Sequence, residues 1–271
     1  MKKKRVDELL VERHLAENMD KAKRLVMAGL VYTKELRLDK AGMQVAADTP
    51  LTVKGKAIPY VGRGGLKMEK ALQEFSISAA GKTMLDIGSS TGGFTDCALK
   101  NGLKLSYAID VGYNQLDWRL RNDPRVVVME RTNFRHVTPE MLRQGVPSLA
   151  AADVSFISLT VILPVMKQLL AEGSDAVVLI KPQFEADRDQ VGEKGIVRDK
   201  QIHRQVLEKI IGFARKQSFV LLGLTHSPIT GGDGNIEFLA HLGWKKDEQM
   251  KDTTVYIEET VETAHQELVS N

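Results

Sequence analysis

The sequence contains a single cysteine, Cys97, among its 271 residues. One cysteine excludes an internal disulfide and any zinc site that is built from several cysteines. Cys97 lies in a stretch of small and apolar residues with helical spacing. This setting predicts a buried structural thiol rather than a nucleophile.

Long apolar runs are also missing, because no run approaches the roughly 18–20 residues that a membrane span requires. The basic start, Met1–Arg5, is followed by acidic and polar residues where a signal peptide has its apolar core. With 43% hydrophobic and 27% charged residues, the composition is that of an ordinary globular protein. We therefore expect a cytoplasmic protein that does not contact membranes.

The net charge of +3 hides an uneven distribution along the chain. Residues 1–56 carry 13 Lys and Arg against 8 Asp and Glu, whereas the remainder carries 25 against 27. A basic segment on a slightly acidic body indicates a module that binds a polyanion.

Helical spacing predicts two amphipathic helices near residues 5–16 and 20–28, the second ended by Gly29. Short strands are expected near 30–33 and 52–53. The apolar face of the first helix comprises Val6, Leu9, Leu10 and Leu15.

The words RVDELLVERHLA, AKRLVMAGLV and D-TPLTV in this region resemble the RNA-binding domain named after ribosomal protein S4. The resemblance implies an S4-type α+β domain at residues 1–58, followed by a linker at 59–66. The residues that we expect to contact RNA are Lys21, Lys23, Arg24 and, in the linker, Arg63.

Strand and helix patterns alternate from residue 82 onward, which predicts a parallel α/β sheet with helices on both faces. Ligands bind such sheets at the carboxyl ends of the strands. The polar stretch 185–198 has no periodicity and is long enough to be a functional loop such as a lid. Strands are predicted at 83–87, 105–110, 125–129, 149–153, 176–181, 219–225 and 236–241, and helices near 93–101, 114–121, 159–171 and 199–217.

The stretch MLDIGSSTGGFTDCAL, residues 84–99, reads as a strand, a Gly/Ser-rich turn and a helix. A dinucleotide fingerprint is excluded because position 90 is serine, and a P-loop is excluded because Phe94 follows Gly93. The pattern resembles the S-adenosylmethionine loop of Rossmann-like methyltransferases. That family implies a cofactor site with a ribose-binding acidic residue after the second strand and a polar residue near the adenine after the third. The matching residues are Asp86, Gly88, Ser89, Ser90, Gly92, Gly93, Phe94, Asp110 and Asn133.

The residues at the ends of the later strands constrain the identity of the methyl acceptor. After the fourth strand the chain reads AADVSFISL, without the Asn/Asp-Pro-Pro-Tyr signature of amino methylation and without a nucleophilic cysteine. Lys181 ends the apolar run 176–180, and Lys67, Asp153 and Glu237 lie at or near other strand ends. Each lysine alone could be a solvated surface residue. An unpaired Glu237 inside a strand would be costly.

These four residues resemble the Lys-Asp-Lys-Glu tetrad of FtsJ-type ribose 2′-O-methyltransferases. The words RGGLKMEKAL, DIGSSTGGFTDCAL, ADVSFISL, IKPQFE and NIEF are similar to the TlyA family, which joins an S4-type domain to an FtsJ-type domain. The resemblance implies a methyltransferase domain at 67–250, catalytic residues Lys67, Asp153, Lys181 and Glu237, and ribosomal RNA or ribosomal subunits as partners. Cytidine is the family's usual target.

A ribose hydroxyl must lose its proton to attack a methyl group efficiently. An ordinary lysine, with a pKa of about 10.4, is protonated at neutral pH, but burial and a second cation favour the neutral amine. We predict that Lys181 receives the proton and Lys67 positions the hydroxyl. Asp153 and Glu237 would orient the amines.

Two other functions remain open from the sequence alone. TlyA relatives have been labelled haemolysins, although the sequence has no membrane span, and a non-catalytic RNA-binding protein could keep the same fold. His203, His226 and His241 lack the spacing of metal ligands, so no metal is expected. The sequence leaves the oligomeric state open, and the helical pattern in the tail 251–271 has no assigned role.

Overall fold

The structure is a computed structural model that describes residues 3–27, 29–34, 36–38, 40–54, 58–246 and 253–269. The chain divides into two compact units, Met1–Gly65 and Leu66–Asn271.

The first unit begins with helices α1 (Val6–Glu12) and α2 (Met19–Met27). Gly29, at φ +68°, follows α2 in the left-handed conformation that glycine tolerates, as the sequence predicted for a helix end. Leu15 was expected on the apolar face of the first helix, but it lies beyond the end of α1 and is 37% exposed. The chain leaves the helix before this position, where His14 has a φ of +56°.

Short strands complete the described part of this unit. Strand β2 lies between β3 and β5 in an antiparallel sheet, and β1 pairs separately with β4. The strands are β1 (Lys3–Arg5), β2 (Val31–Thr33), β3 (Leu36–Leu38), β4 (Gln44–Ala46) and β5 (Thr52–Val53). The core they share with the helices consists of Val6, Leu10, Ala16, Ala22, Leu25, Val26, Val31 and Leu38.

The second unit is built on a sheet of seven strands in the order β11-β12-β10-β9-β6-β7-β8. Its strands are β6 (Thr83–Ile87), β7 (Leu105–Ile109), β8 (Val126–Met129), β9 (Leu149–Ala152), β10 (Asp175–Ile180), β11 (Phe219–His226) and β12 (Phe238–Trp244). The first five are parallel, as predicted. The expectation of a wholly parallel sheet is wrong for β12, which runs antiparallel to both β10 and β11 because only a short turn region separates it from β11.

The helices of the second unit are α3 (Gly64–Glu74), α4 (Gly93–Lys100), α5 (Trp118–Arg121), α6 (Leu159–Leu169), α7 (Pro182–Glu185), α8 (Lys200–Lys216) and α9 (Thr253–Val269). Helix α5 is shorter than the predicted 114–121. The carboxylate of Glu130 accepts hydrogen bonds from the backbone N–H groups of Asn114, Gln115 and Leu116, which holds them in a loop.

Strand β10 is buried along its whole length, as the apolar run 176–180 predicted. Residues of α6, α8 and α9 pack with the strands in one core, which includes Ile162, Leu207 and Val261. Cys97 is buried in α4, in agreement with a structural thiol. The sheet therefore has the rigid centre that can position side chains at the ends of its strands.

The stretch 185–198 contains two short 3-10 helices, Arg188–Gln190 and Glu193–Gly195. Asn235 fastens it to the chain before β12 by donating to the carbonyl of Gly195 and accepting from Val197 N–H. The predicted helix in the tail is α9, which packs into the core of this unit. No helix in the described ranges is both long and apolar enough to cross a membrane.

Candidate active site

A pocket of about 660 Å³ lies at the carboxyl ends of the parallel strands. Four consecutive strand-to-helix connections line it, those that follow β6, β7, β8 and β9. Its walls include Gly88, Ser90, Asp110, Val111, Gln115, Thr132, Asn133, Phe134, Asp153, Ser155, Phe156 and Ile157. This is the edge of the sheet at which the sequence predicted a ligand.

The turn after β6 requires glycine at position 88. Gly88 has a φ of +80°, and a Cβ built on it would lie 2.4 Å from the carbonyl oxygen of Asp153. The N–H groups of Gly88 and Ser89 both donate to the carbonyl of Ile109 at the end of β7. The backbone of the turn is therefore pressed against the two neighbouring strand ends, with no room for a side chain.

Asp110 joins the turn after β6 to the turn after β7. One carboxylate oxygen accepts from Ser90 N–H at 2.8 Å and the other from Gly112 N–H at 2.7 Å. Asn133, after β8, also lines the pocket and accepts from Arg135 N–H at 3.1 Å. Asp110 and Asn133 are thus placed at successive strand ends beside one cavity, as a ribose-binding and an adenine-binding residue require.

The nine predicted cofactor residues fall into two groups. Gly88, Ser90, Asp110 and Asn133 line the pocket. The remaining five lie outside its walls: Asp86, Ser89, Gly92, Gly93 and Phe94. A sequence motif contains both residues that face a ligand and residues that shape the turn. Spacing in the sequence alone could not distinguish these two groups.

Asp86 belongs to the shaping group. Its Oδ2 accepts hydrogen bonds from the backbone N–H and the hydroxyl of Thr95, at 3.1 and 2.6 Å, and this hydroxyl also contacts the Ser106 hydroxyl. Burial raises the pKa of Asp86 to about 7, despite the hydrogen bonds from Thr95 that favour the charged form. Through these hydrogen bonds the carboxyl group of Asp86 holds Thr95, and with it the first turn of α4, in place.

We predict that Asp86→Asn stabilises the protein increasingly as pH rises. Because its pKa is raised on folding, folded Asp86 binds more protons than unfolded Asp86 between about pH 4 and pH 7, and its contribution to stability is lost as pH rises through this window. The asparagine variant has no such loss. Urea unfolding of both proteins across this pH range measures the difference.

Asp123→Asn is the control, because we expect its effect on stability to change with pH in the opposite direction. The Arg125 side chain holds the pKa of Asp123 below its usual range, so this variant should lose stability relative to wild type as pH rises. A pH-independent difference between Asp86→Asn and wild type would contradict the account of Asp86.

The structure brings the four predicted catalytic residues together beside the pocket. Lys181 Nζ lies 2.5 Å from Asp153 Oδ1, and Lys67 Nζ lies 3.4 Å from Asp153 Oδ2. Lys67 also donates to Glu237 Oε2 at 2.7 Å. The side chains come from α3 and from the ends of β9 and β10 and the start of β12, and they form one chain of alternating charge.

Mutual contacts within this tetrad shift the pKa values of Lys67 and Asp153. Burial opposes the charge on Lys67, but Asp153 and Glu237 outweigh it and raise the pKa of Lys67 above its ordinary value. Burial likewise opposes the charge on Asp153, but Lys67 and Lys181 outweigh it and hold the pKa of Asp153 below its usual range. Lys67 is therefore held as an ammonium and Asp153 as a carboxylate at neutral pH.

Three residues that sequence reasoning missed also contact the tetrad. Ser155 accepts from Lys181 at 3.2 Å, and Gln183 donates to Glu237 Oε1 at 3.3 Å. A Cβ built on Gly231 would lie 2.8 Å from the same Glu237 oxygen, so this position must stay glycine for the carboxylate to keep its place. Ser155 and Gln183 lie two residues from Asp153 and Lys181, which is the signal that could have identified them.

Phe156 is a further residue that the sequence did not reveal. It lines the pocket, is 90% exposed and has a left-handed φ of +62°. Its ring lies 4.9 Å from that of Phe184, which follows Lys181 by three positions. Bulky residues rarely adopt this backbone conformation, and such outliers concentrate at functional sites.

The predicted RNA contacts lie in the first unit. Lys21, Lys23 and Arg24 are on α2, where Lys23 and Arg24 are exposed and Lys21 pairs with Glu17. The half-buried Arg63 passes close to Gly29, just after this helix.

Known proteins resemble the chain over most of its length. The FtsJ-like methyltransferase family matches residues 60–244. A Bacillus subtilis protein provisionally named an rRNA methyltransferase, YqxC, is 63% identical over 243 residues, which cover 90% of this chain and 86% of that protein. The 16S/23S rRNA (cytidine-2′-O)-methyltransferase TlyA of Mycobacterium tuberculosis is 42% identical over 244 residues, 90% of this chain and 91% of that one. A solved structure from Streptococcus thermophilus, provisionally described as a hemolysin, has a TM-score of 0.80 at 50% identity and covers 100% of this chain and 98% of its own.

These matches confirm the predicted methyltransferase fold and the prediction of S-adenosylmethionine as its cofactor. The family match spans every strand of the seven-stranded sheet and all four residues of the tetrad. The chain belongs to the FtsJ-like methyltransferase family.

Proposed function

We propose that this protein methylates the 2′-hydroxyl of a cytidine ribose in ribosomal RNA, using S-adenosylmethionine. The observation that carries the proposal is the lysine–carboxylate tetrad beside the pocket, whose two amines are the groups that we expect to bind and deprotonate the hydroxyl. The names of the M. tuberculosis and B. subtilis relatives supply the substrate class, ribosomal RNA, and the former supplies cytidine.

The pocket suits S-adenosylmethionine. Asp110 offers carboxylate oxygens to ribose hydroxyls, and Phe134 and Ile157 supply apolar wall on which an adenine can pack. The close-packed turn at Gly88 lets a ligand lie against the backbone. When bound, the cofactor supplies an electrophilic methyl group on a sulfonium sulfur.

The different contacts of the two lysines support different roles for them. Lys67 touches two carboxylates, Asp153 and Glu237, and is committed to its charged form. Lys181 has one carboxylate, which it shares with Lys67, and a neutral hydroxyl from Ser155. Lys181 is therefore the amine that receives the proton of the 2′-hydroxyl, and Lys67 holds the oxygen in place by hydrogen bonding.

Phe156 supports a nucleotide as the substrate. An aromatic ring that projects into solvent beside the reacting lysines offers a face on which a nucleobase can stack. Stacking there would hold the base while its ribose reaches the tetrad. The adjoining ring of Phe184 limits how far Phe156 can move.

The first unit supplies a second RNA contact in this proposal. We infer that residues 1–58 act as an S4-type RNA-binding domain through Lys21, Lys23 and Arg24, together with Arg63 in the linker. The support is the exposure of Lys23 and Arg24 on α2 and the excess of basic residues in this part of the chain.

The proposal is tested by transfer of labelled methyl groups from S-adenosylmethionine to ribosomal subunits that lack the modification. Label in RNA that makes one phosphodiester bond resist alkaline cleavage is the expected result, because a 2′-O-methyl group blocks attack by that oxygen. Label released with a free base would indicate base methylation instead. No label in either subunit, with cofactor bound, would contradict the proposed substrate.

A further inference from the structure

Two exposed aromatic side chains lie outside the pocket walls, Tyr113 on the segment between β7 and α5 and Trp118 at the first position of α5. Tyr113 is 63% exposed and Trp118 is 74% exposed. Large aromatic side chains are ordinarily more buried than this, and exposed ones concentrate where partners bind. We call Tyr113 and Trp118 the aromatic platform.

Glu130 holds the segment that carries the platform. Its carboxylate accepts from the N–H groups of Asn114, Gln115 and Leu116 at 2.9, 3.0 and 3.3 Å, and from the Arg121 guanidinium at 2.7 Å. The bond from Arg121, with the backbone bonds, lowers the pKa of Glu130 to about 2, so the carboxylate stays charged. Because this segment is already held in one conformation, a partner that binds there loses little free energy in ordering it.

The same segment is fastened to the cofactor turn. Asp117 N–H donates to the carbonyl of Thr91 at 3.2 Å. A Cβ built on Gly92 would lie 2.2 Å from Leu120 Cδ1 and 2.8 Å from Leu116 Cδ1, so these side chains pack directly on the turn. The platform thus adjoins the pocket, whose walls include Val111 and Gln115 from the same segment.

The positive charge in the part of the sequence that carries the platform comes from arginine and not from lysine. No lysine occurs between Lys104 and Lys167, while this interval contains six arginines. The guanidinium of Arg131 lies 4.0 Å over the Tyr113 ring, and Arg131 forms no ion pair with any residue that the structure describes. Arginine stacks on bases and binds phosphate through its fork of donors, so this charge complements RNA.

We propose that the platform stacks unpaired bases of the RNA that flank the target nucleotide. This inference rests on the proposed function and names the surface that holds the neighbouring part of the substrate. Aromatic rings beside arginine are the usual means of holding single-stranded RNA, because every base has a face to stack.

Tryptophan fluorescence of the full-length protein tests the platform directly. The chain has two tryptophans, Trp118 on the surface and Trp244, which is 8% exposed. The difference between wild type and Trp118→Phe isolates the Trp118 signal. With S-adenosylhomocysteine in the pocket, short oligocytidylate should quench this signal, and an abasic oligonucleotide of equal length should not.

Affinities for oligocytidylate give the second readout. Trp118→Ala and Tyr113→Ala should each weaken binding by about tenfold, the effect expected for one lost stacking contact, whereas Trp118→Phe keeps a ring and should bind nearly as wild type does. The matched control is Val146→Ala. Val146 is an apolar residue that is 67% exposed and lies just before β9, at the amino ends of the parallel strands and therefore away from the pocket.

Each alternative outcome is distinct. Quenching by S-adenosylhomocysteine alone would assign the platform to the cofactor, and self-association that Trp118→Ala abolishes would assign it to a second copy; either result overturns the proposal. Equal quenching by the abasic oligonucleotide would overturn base stacking. Unchanged Trp118 fluorescence in a protein that still methylates subunits would refute the platform and leave the proposed function intact.

Discussion

Lys181→Ala is expected to lower the rate of methyl transfer by about 10²- to 10⁴-fold, the contribution of a positioned general base. Among the residues that the structure describes, Lys181 pairs with one carboxylate, Asp153, which it shares with Lys67, whose raised pKa favours the charged form. In the proposed mechanism, the 2′-hydroxyl of this variant has no neutral amine to receive its proton. Labelled methyl transfer to unmodified subunits measures the rate, and calorimetry with S-adenosylhomocysteine verifies that the pocket still binds.

Loss of an ion pair could also destabilise the fold, so two further variants separate chemistry from stability. Lys181→Arg keeps a cation beside Asp153 but cannot accept a proton, because arginine stays charged in proteins. It should be nearly as inactive as the alanine variant. Lys82→Ala removes a lysine that bonds Asp175 at 2.8 Å, at the opposite end of β10, and should retain activity. Turnover by Lys181→Arg near the wild-type rate would disprove the role of Lys181 as base.

Gly88→Ala is expected to abolish most cofactor binding and to destabilise the second unit by about 2–5 kcal/mol. The left-handed conformation costs a residue with a Cβ about 1–2 kcal/mol, and forcing extra atoms into a packed site costs about 1–3 kcal/mol more. The new methyl group would stand 2.4 Å from the Asp153 carbonyl oxygen. Urea unfolding and calorimetry with S-adenosylhomocysteine measure the two effects.

Gly81→Ala is the matched control for this substitution. Gly81 has a similar φ of +71°, but a Cβ there would meet nothing within 4 Å. The Gly81→Ala variant should therefore lose only the free energy that the left-handed backbone costs a residue with a Cβ, and it should bind cofactor normally. If Gly81→Ala and Gly88→Ala proved equally destabilising and bound cofactor equally well, the contact between Gly88 and Asp153 would have no energetic importance.

The sequence predicted those elements whose signal is local. The buried run that became β10 and the glycine-rich turn at Gly88 were readable because residues a few positions apart determine them. Helix α5 was overestimated because Glu130, from just after the next strand, captures the N–H groups that a longer helix would have used. No local pattern contains that contact.

The contacts within the tetrad could not be predicted from local sequence either. Lys67 is separated along the chain from Asp153 by 86 residues and from Glu237 by 170. In KMEKAL it looks like any solvated helix lysine, and only family resemblance singled it out. Its burial and its two carboxylates come from the packing of α3 against the strand ends, which spacing cannot express. The contact of Gln183 with Glu237 joins residues 54 positions apart and is also non-local.

The position of β12 has a consequence for how the protein is made. This strand is the last of the seven in the chain but lies between β10 and β11 in the sheet, and within the described part of the chain β12 is the one strand that pairs with β11. During synthesis the chain emerges amino-terminus first, so β11 is made before β12. It therefore has no pairing partner until β12 has been made and has paired with both β10 and β11. Glu237 immediately precedes β12 and arrives in the same event. Closing the sheet and completing the tetrad are therefore a single late step, and a nascent chain halted before β12 lacks both a finished sheet and the fourth residue of the tetrad.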